Sequence, residues 1–494
     1  MLRYIEGEPR TQTTLFPERL EDYIEESNPV RFIELFVDGL NLEKLGFGGM
    51  HPKVTGRPGY HPATMLKLYI YGYLNRIQST RRLERESGRN IELMWLLGRL
   101  KPDDKTISNF RRSNGKAIRK VCVEFVVLCR KLDLFSQALV AIDGSKFKAS
   151  NNRDKNFTPA KIKRRVEEIE KSIDRYLSRL DRVDKEEPRA KEQTHKLEDK
   201  IDSLKKEVER FNDLEKEMMD IPEKQLSLTD PDARSMRSRG AGIVGYNVQT
   251  AVDTEHHLIV AHEVINQNND RSQLSSMAVK ARTATGVEAL EVVADRGYYK
   301  GEEIKSCEEE GITAYVPKTR TSNNRAHGLY DKSAFRYIPE ENTYRCPAGE
   351  TLIWRMTTQE KGQNLHRYWS SNCQTCPLKS KCTTGKQRRL TRWDHEAILD
   401  WAEQRLARDP DKMRTRCQTV EHPFGTLKHW MGATHFQMIT LEHVSTEMSL
   451  HVLAYNMKRV MNILGVEFLI EAIRALLRTI IRLFRPAYAV PGLY

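Results

Sequence analysis

The chain has 494 residues, 39% of them hydrophobic and 30% charged, enough for about two to four structural units behind a charged surface. No segment approaches the roughly 20 consecutive apolar residues of a membrane span, and eight cysteines are too few for a disulfide scaffold in a chain this long. The net charge of +13 and pI of about 9.2 suit a polyanionic partner through Lys and Arg contacts to phosphates, or serve solubility alone if spread evenly.

The opening MLRYIEGEPRTQTTLF lacks the apolar stretch of a secretory signal, so a reducing, cytoplasmic setting is expected. Residues 1–135 read as helical. Met65-Leu66, Tyr69-Ile70 and Tyr73-Leu74 recur at helical spacing. Gly88 and the Pro102-Asp103-Asp104 turn divide residues 79–112 into short helices, with Asp104 as the expected cap of the last. Arg81, Arg82, Arg85, Lys105, Arg111 and Arg112 are interleaved with the apolar pattern. Short helices with basic faces suit DNA binding in the manner of helix-turn-helix modules, and equally an ordinary bundle with a solvated face.

At 136 the texture changes. QALVAIDGSKFKAS reads as a buried strand ending at Asp143, giving a first core segment over 136–156. Residues 157–232 read as an inserted helical hairpin. Ile162, Val166, Ile169, Ile173, Tyr176 and Leu180 form one coiled-coil seam, Leu197, Ile201, Leu204, Val208 and Phe211 another, and Lys185 to Pro188 break the two apart. Such a hairpin could pair protomers or stand as a solvated arm. The core resumes over 233–329 with two strands in VGYNVQTAVDTEHHLIVAHEVI joined through the Asp253–His257 turn. Asp270 is read as a helix cap, EVVADRGYY as a strand ending at Asp295, and ITAYVPK as a last strand. The order predicts an α/β fold, a mixed sheet with flanking helices.

Residues 330–392 form a second insertion, read as poor in strands, with Cys346, Cys373, Cys376 and Cys382. Four thiolates could hold a structural zinc that staples it, or remain unliganded. A helical part, 393–465, contains VEHPFGTLKHWMG. The tail, 466–494, puts Arg474, Arg478, Arg482 and Arg485 on one stripe opposite Leu476, Leu477, Ile480 and Ile481, a face for core or subunit packing.

Two-metal cleavage of phosphodiesters needs carboxylates converging from rigid elements to hold hard cations about 4 Å apart. Asp143 and Asp295, each at an expected strand end, are candidates, although an Asp before glycine is also an ordinary turn. VAIDGSK, VVADRGYY and VEHPFGTLK together resemble the three signature segments of bacterial insertion-sequence DDE transposases, and the resemblance covers nearly the whole chain. It implies a ribonuclease-H-like catalytic core with an all-α DNA-binding front, a coiled-coil insertion and a small zinc-type insertion. It assigns the catalytic and metal-holding carboxylates as Asp143, Asp295 and Glu421, with two Mg2+ or Mn2+ ions. Lys428, seven residues past Glu421, becomes a phosphate contact or remains a surface lysine, and Pro423 between them suits a first helical turn or a kink. Where many members of the family carry an arginine four residues before the glutamate, this chain has Cys417, with Arg416 and Arg414 beside it as substitutes.

The activity so implied is DNA cleavage and strand transfer at terminal inverted repeats. Double-stranded DNA (element ends and target) would be the partner, a homo-oligomer the working form, the nucleoid the location, and no membrane would be involved. A ribonuclease-H-like nuclease that cuts without joining, and a non-catalytic DNA-binding derivative, are the alternatives.

Overall fold

In the computed structural model, residues 19–51, 58–135, 138–151, 155–183, 191–221, 224–238, 241–319 and 323–483 are described. The front of the chain folds into α1 (Pro29–Asp38), α2 (Leu42–Leu45), α3 (Pro62–Leu74), α4 (Thr80–Ser87), α5 (Ile91–Leu96), α6 (Asp104–Ser113) and α7 (Gly115–Lys131). Their starts follow side-chain chemistry: Asn28, Asn41 and Asn90 each accept a backbone N–H of the first turn of α1, α2 and α5. The cap of α6 is Asp103, whose carboxylate accepts the Thr106 N–H at 2.9 Å and its hydroxyl at 2.8 Å. Asp104, the expected cap, is the first helical residue instead.

The central sheet takes β1 (Leu139–Lys148), β4 (Arg234–Ser238), β5 (Ala241–Asp253), β6 (Ile259–Ile265), β7 (Glu291–Ala294) and β8 (Thr313–Tyr315), with β2 (Asn156–Phe157) and β3 (Leu226–Ser227) forming a separate two-stranded ladder. The central order is β5-β1-β7-β8, with β4 and β6 both paired to β5. β1, β5 and β6 are antiparallel, whereas β7 and β8 run parallel to β1, each reached through a helix: α10 (Leu274–Thr285) before β7 and α11 (Gly301–Glu309) before β8. β5 and β6 meet at the expected turn, where Asp253 accepts the Glu255 and His256 N–H groups.

β1 does not stop at Asp143. It runs to Lys148, with Asp143 opposite Thr250 and Gly144 opposite Gln249 on β5, so the Asp-Gly pair is strand and not turn. What ends near Asp143 is the pairing with β7, whose last matched pair is Ile142 with Ala294.

Between β2 and β3, α8 (Pro159–Val183) and α9 (Lys191–Met219) form the inserted hairpin. Ile162, Ile169, Phe211 and Met218 close a small core there, with Val166, Ile173, Leu204 and Val208 packed on it. The break at Lys185–Pro188 lies outside the described residues. The cysteine-bearing segment is not strand-poor: β9 (Arg336–Ile338), β10 (Thr343–Arg345), β11 (Thr351–Glu360), β12 (Gln363–Trp369) and β13 (Leu390–Trp393) make a five-stranded antiparallel sheet in the order β13-β12-β11-β10-β9. Its strands are built from Thr, Arg and aromatics, and three tyrosines packed tilted and edge-to-face (Tyr337, Tyr344, Tyr368) replace the missing aliphatics on one face. Within it lies α12 (Lys379–Cys382).

The chain continues with α13 (Glu396–Arg408), α14 (Asp411–Gly425), a π-helical turn (Thr426–Trp430), α15 (Leu441–Leu464) and α16 (Val466–Leu483). α15 packs on α3, α7 and β6, and one hydrophobic core runs without interruption from α1 through the sheet to α16. Leu469, Ile470 and Ile473 bury the near half of α16, and Leu476 is half-buried. The side chains of Leu477, Ile480, Ile481 and Arg482, and all of Arg485, lie outside the described residues.

Candidate active site

Strand alternation divides β1 into two chemistries. Ala141, Asp143 and Ser145 face α14, where Ala141 packs with Val293, Tyr315 and Val420. The parallel register that matches Ile142 with Ala294 makes Asp143 and Asp295 the next residues of neighbouring strands. Asp295 also caps the short turn Arg296–Tyr298 by accepting the Gly297 N–H at 2.7 Å. The turn role and a place beside Asp143 therefore coexist in Asp295, while for Asp143 the turn role drops out.

Arg416, projecting from α14 four residues before Val420, joins the two carboxylates. Its Nη2 lies 3.1 Å from Asp143 Oδ1 and 3.9 Å from Asp295 Oδ2. Burial pushes the Asp143 carboxyl up to about 6, opposed by the Arg416 charge and reinforced by Asp295. Arg416 is the neighbour that occupies the place expected of a residue at Cys417, which is itself exposed. Its Nε is buried without a hydrogen-bond partner.

Glu421 is carried by the same helix, but its side chain is exposed, and among the described residues no three His, Cys, Asp or Glu side chains are gathered into a group that could hold a metal. The structure thus brings together Asp143, Asp295 and Arg416 and leaves Glu421 apart. Pro423 lies inside α14, neither in its first turn nor at a break. It supplies no N–H, and the helix answers by widening into the π turn, whose Met431 N–H reaches back five residues to Thr426 O. Lys428 reaches back to β1, donating to Ser145 Oγ at 2.7 Å and Lys146 O at 2.9 Å, with its ammonium over the Phe147 ring.

Of the basic residues on the front helices, Arg81, Arg82, Arg85, Lys105 and Arg112 are exposed. Arg111 is not. It is 6% exposed, donates to the Tyr73 hydroxyl at 2.9 Å and stacks on Tyr69, which removes it from any DNA-facing set. Cys346, Cys373, Cys376 and Cys382 line one small cavity with Tyr330, Phe335 and Arg388. Burial, offset by Arg388, raises the Cys382 thiol, and the other three thiols add to the rise. The four converge without being drawn into a metal-holding group.

Asp270 is not a helix cap: α10 begins after Gln273, and the Asp270 carboxylate turns under β1 instead. Its partners Asn247 and Gln249 carried a signal in the sequence, since two amides at alternate positions of an otherwise apolar strand demand a buried polar partner.

Residues 18–113 match the family described as Transposase domain (DUF772), and residues 345–461 match the family described as Transposase DDE domain. No curated protein matches the chain. Among solved structures, the cryo-EM piggyBac transposase synaptic complex with hairpin DNA is similar at 11% identity over 95% of this chain and 87% of that one, with a TM-score of 0.29, too loose to carry an argument.

Proposed function

Because the chain belongs to the DDE transposases, we propose that Asp143, Asp295 and Glu421 hold divalent metal for hydrolysis of DNA 3′ ends and their transfer to target DNA. The observation that carries this reading is the pair of aspartates on adjacent parallel strands beneath the helix that also bears Glu421. Two oxygen donors on rigid strands fit a hard cation such as Mg2+ or Mn2+, and α14 must bring Glu421 inward to complete the set. When bound, the metal lowers the cost of charge on the attacking and leaving oxygens. The protein's own residues orient: Arg416 holds the two carboxylates together, and Lys428 ties the π turn that follows α14 to β1 near Asp143 while offering its charge to a nearby phosphate.

The sheet order, three antiparallel strands followed by two parallel ones reached through helices, supports a ribonuclease-H-like core. Arg81, Arg82, Arg85, Lys105 and Arg112 are the DNA contacts of the helical front, which would recognise the terminal inverted repeats. The four cysteines are a zinc site that closes on loading, tested by metal content: one zinc per chain in wild type and none in Cys376→Ser. Two copies of the chain would act together on the two element ends.

The decisive experiment incubates the full chain with its element ends and Mg2+, scoring both 3′ hydrolysis and joining of pre-cleaved ends. Asp143→Asn, Asp295→Asn and Glu421→Gln are each expected to abolish both reactions while retaining DNA binding. Cleavage without joining in the wild type would favour a nuclease, and full activity in Asp143→Asn would overturn the reading.

A further inference from the structure

The face of β1 away from α14 carries a buried polar frame that the chemistry above does not use. Asn247 and Gln249 of β5 are fully buried, and both reach Asp270: its Oδ1 accepts from Asn247 Nδ2 at 2.7 Å, Gln249 Nε2 at 2.7 Å and Lys146 Nζ at 3.3 Å. The Tyr298 hydroxyl, also fully buried, donates to Gln249 Oε1. Gly144 is the point where this frame touches the strand. A Cβ there would lie 2.5 Å from Gln249 Nε2, 2.7 Å from Asp270 Oδ1 and 3.1 Å from Asn247 Oδ1, so the frame closes on the backbone with no room to spare.

Both ends of the frame adjoin a carboxylate. Gly144 directly follows Asp143, and Tyr298 ends the turn that Asp295 caps. We propose that Asp270, acting through Gln249 and Tyr298, is a positioning residue that fixes the separation of Asp143 and Asp295 from behind the sheet. The proposal rests on the reading that those two aspartates hold the metal. A side chain in direct contact with the metal needs a partner that locks its orientation, and here the lock is exerted on the backbone of each aspartate. Asp270 suits this role because one charged oxygen satisfies three donors from two strands, which a neutral side chain does less firmly. Tyr298 keeps its proton at any working pH, because burial and the surrounding carboxylates raise its hydroxyl far above the usual range.

The test uses the full-length protein with Tyr298→Phe, Asp270→Asn and the double variant, and Asp143→Asn as reference. Three quantities are measured: melting temperature, Mg2+ binding by calorimetry without DNA, and single-turnover cleavage of element ends. Each single variant should keep DNA affinity, bind Mg2+ about tenfold more weakly and cleave about tenfold more slowly at limiting Mg2+. The double variant should lose little more than either single, because both break the same link. Wild-type Mg2+ binding and cleavage in both single variants would overturn the frame. So would a rate loss that follows the melting temperature and vanishes on cooling, the mark of a merely structural role. Tyr298→Phe removes a single hydroxyl and keeps the question open to refutation if Asp270→Asn misfolds. An active Asp143→Asn would bring down the metal reading itself, whereas an inactive Asp143→Asn beside unaffected frame variants would bring down this proposal alone.

Discussion

At the scale of single residues, the balance of burial and charge at Asp143 makes a signed prediction. Its folded pKa of about 6 stands above the ordinary 3.8, so burial outweighs Arg416, and ionising this carboxyl costs the metal-free fold stability as pH rises from 3.8 through 6. Metal binding needs the ionised form, so cleavage at limiting Mg2+ should rise with pH through about 6. Arg416→Gln removes the largest influence pulling that pKa down, and the acid limb of the pH–rate profile should move to higher pH. An unmoved limb would mean Arg416 does not act on Asp143 in solution. Gly144→Ala probes the other side of the same strand. With a Cβ placed 2.5 to 3.1 Å from three polar side-chain atoms, either β1 or the buried frame must shift, at a cost of about 1–3 kcal/mol by the usual measure of overpacking. A lowered melting temperature and reduced cleavage are expected, and wild-type values in both would show that the gap can open freely.

At the scale of elements, α15 is the joint between helical front and sheet, and its buried histidine makes that joint sensitive to acid. His451 packs edge-on against Tyr73 at 4.7 Å, and burial, aided by Arg111, depresses its pKa to about 3. A depressed histidine contributes stability fully above its unfolded value of 6.5, and loses it as pH falls towards 3. At pH 5 the loss amounts to about 2 kcal/mol by linkage. His262, lowered to about 4, acts in the same sense, while Glu447, raised by burial, acts in the opposite one. His451→Leu should therefore narrow the gap in melting temperature between pH 7 and pH 5, read by parallel thermal melts. An unchanged gap would place the acid sensitivity elsewhere. This joint was hidden in the sequence, where Tyr73, Arg111 and His451 belong to separate helices. Legible elements were those with strong local periodicity: the seams of α8 and α9, the apolar run of β1, and the helix–strand alternation around Asp270 and Asp295. Signals that depend on distant partners misled. Asp-Gly reads as a turn unless β5 is known to continue the ladder beside it, and Asp270 reads as a cap unless Asn247 and Gln249 are known to lie opposite. Among the carboxylates, the juxtaposition of Asp143 and Asp295 was legible from the order of their strands, although β1 runs on past Asp143, whereas Glu421 depended on resemblance, and its side chain stands apart.

At the scale of the whole molecule, a net charge of +13 says little until burial sorts the cations. Arg111 and Arg112 are adjacent in sequence and opposite in role. The first is locked among Tyr69, Tyr73 and the field of Glu447, while the second is exposed at the end of α6. Arg82 and Arg85 are exposed on α4, which packs against α6, so the three charges belong to one helical unit. Removing one cation from a phosphate lowers the slope of log affinity against log salt by about 0.9. If the front is a DNA-binding surface, Arg82→Gln, Arg85→Gln and Arg112→Gln combined should flatten that slope by about 3 units and leave the melting temperature unchanged. Arg111→Leu should do the reverse, lowering the melting temperature through loss of the Tyr73 hydrogen bond and of the charge that offsets the buried Glu447, while leaving the salt slope intact. Titrations of duplex DNA at several salt concentrations separate the two outcomes. An unchanged slope in the triple variant would move the DNA-binding face off this helical unit, because the front would then carry its charges for solubility alone.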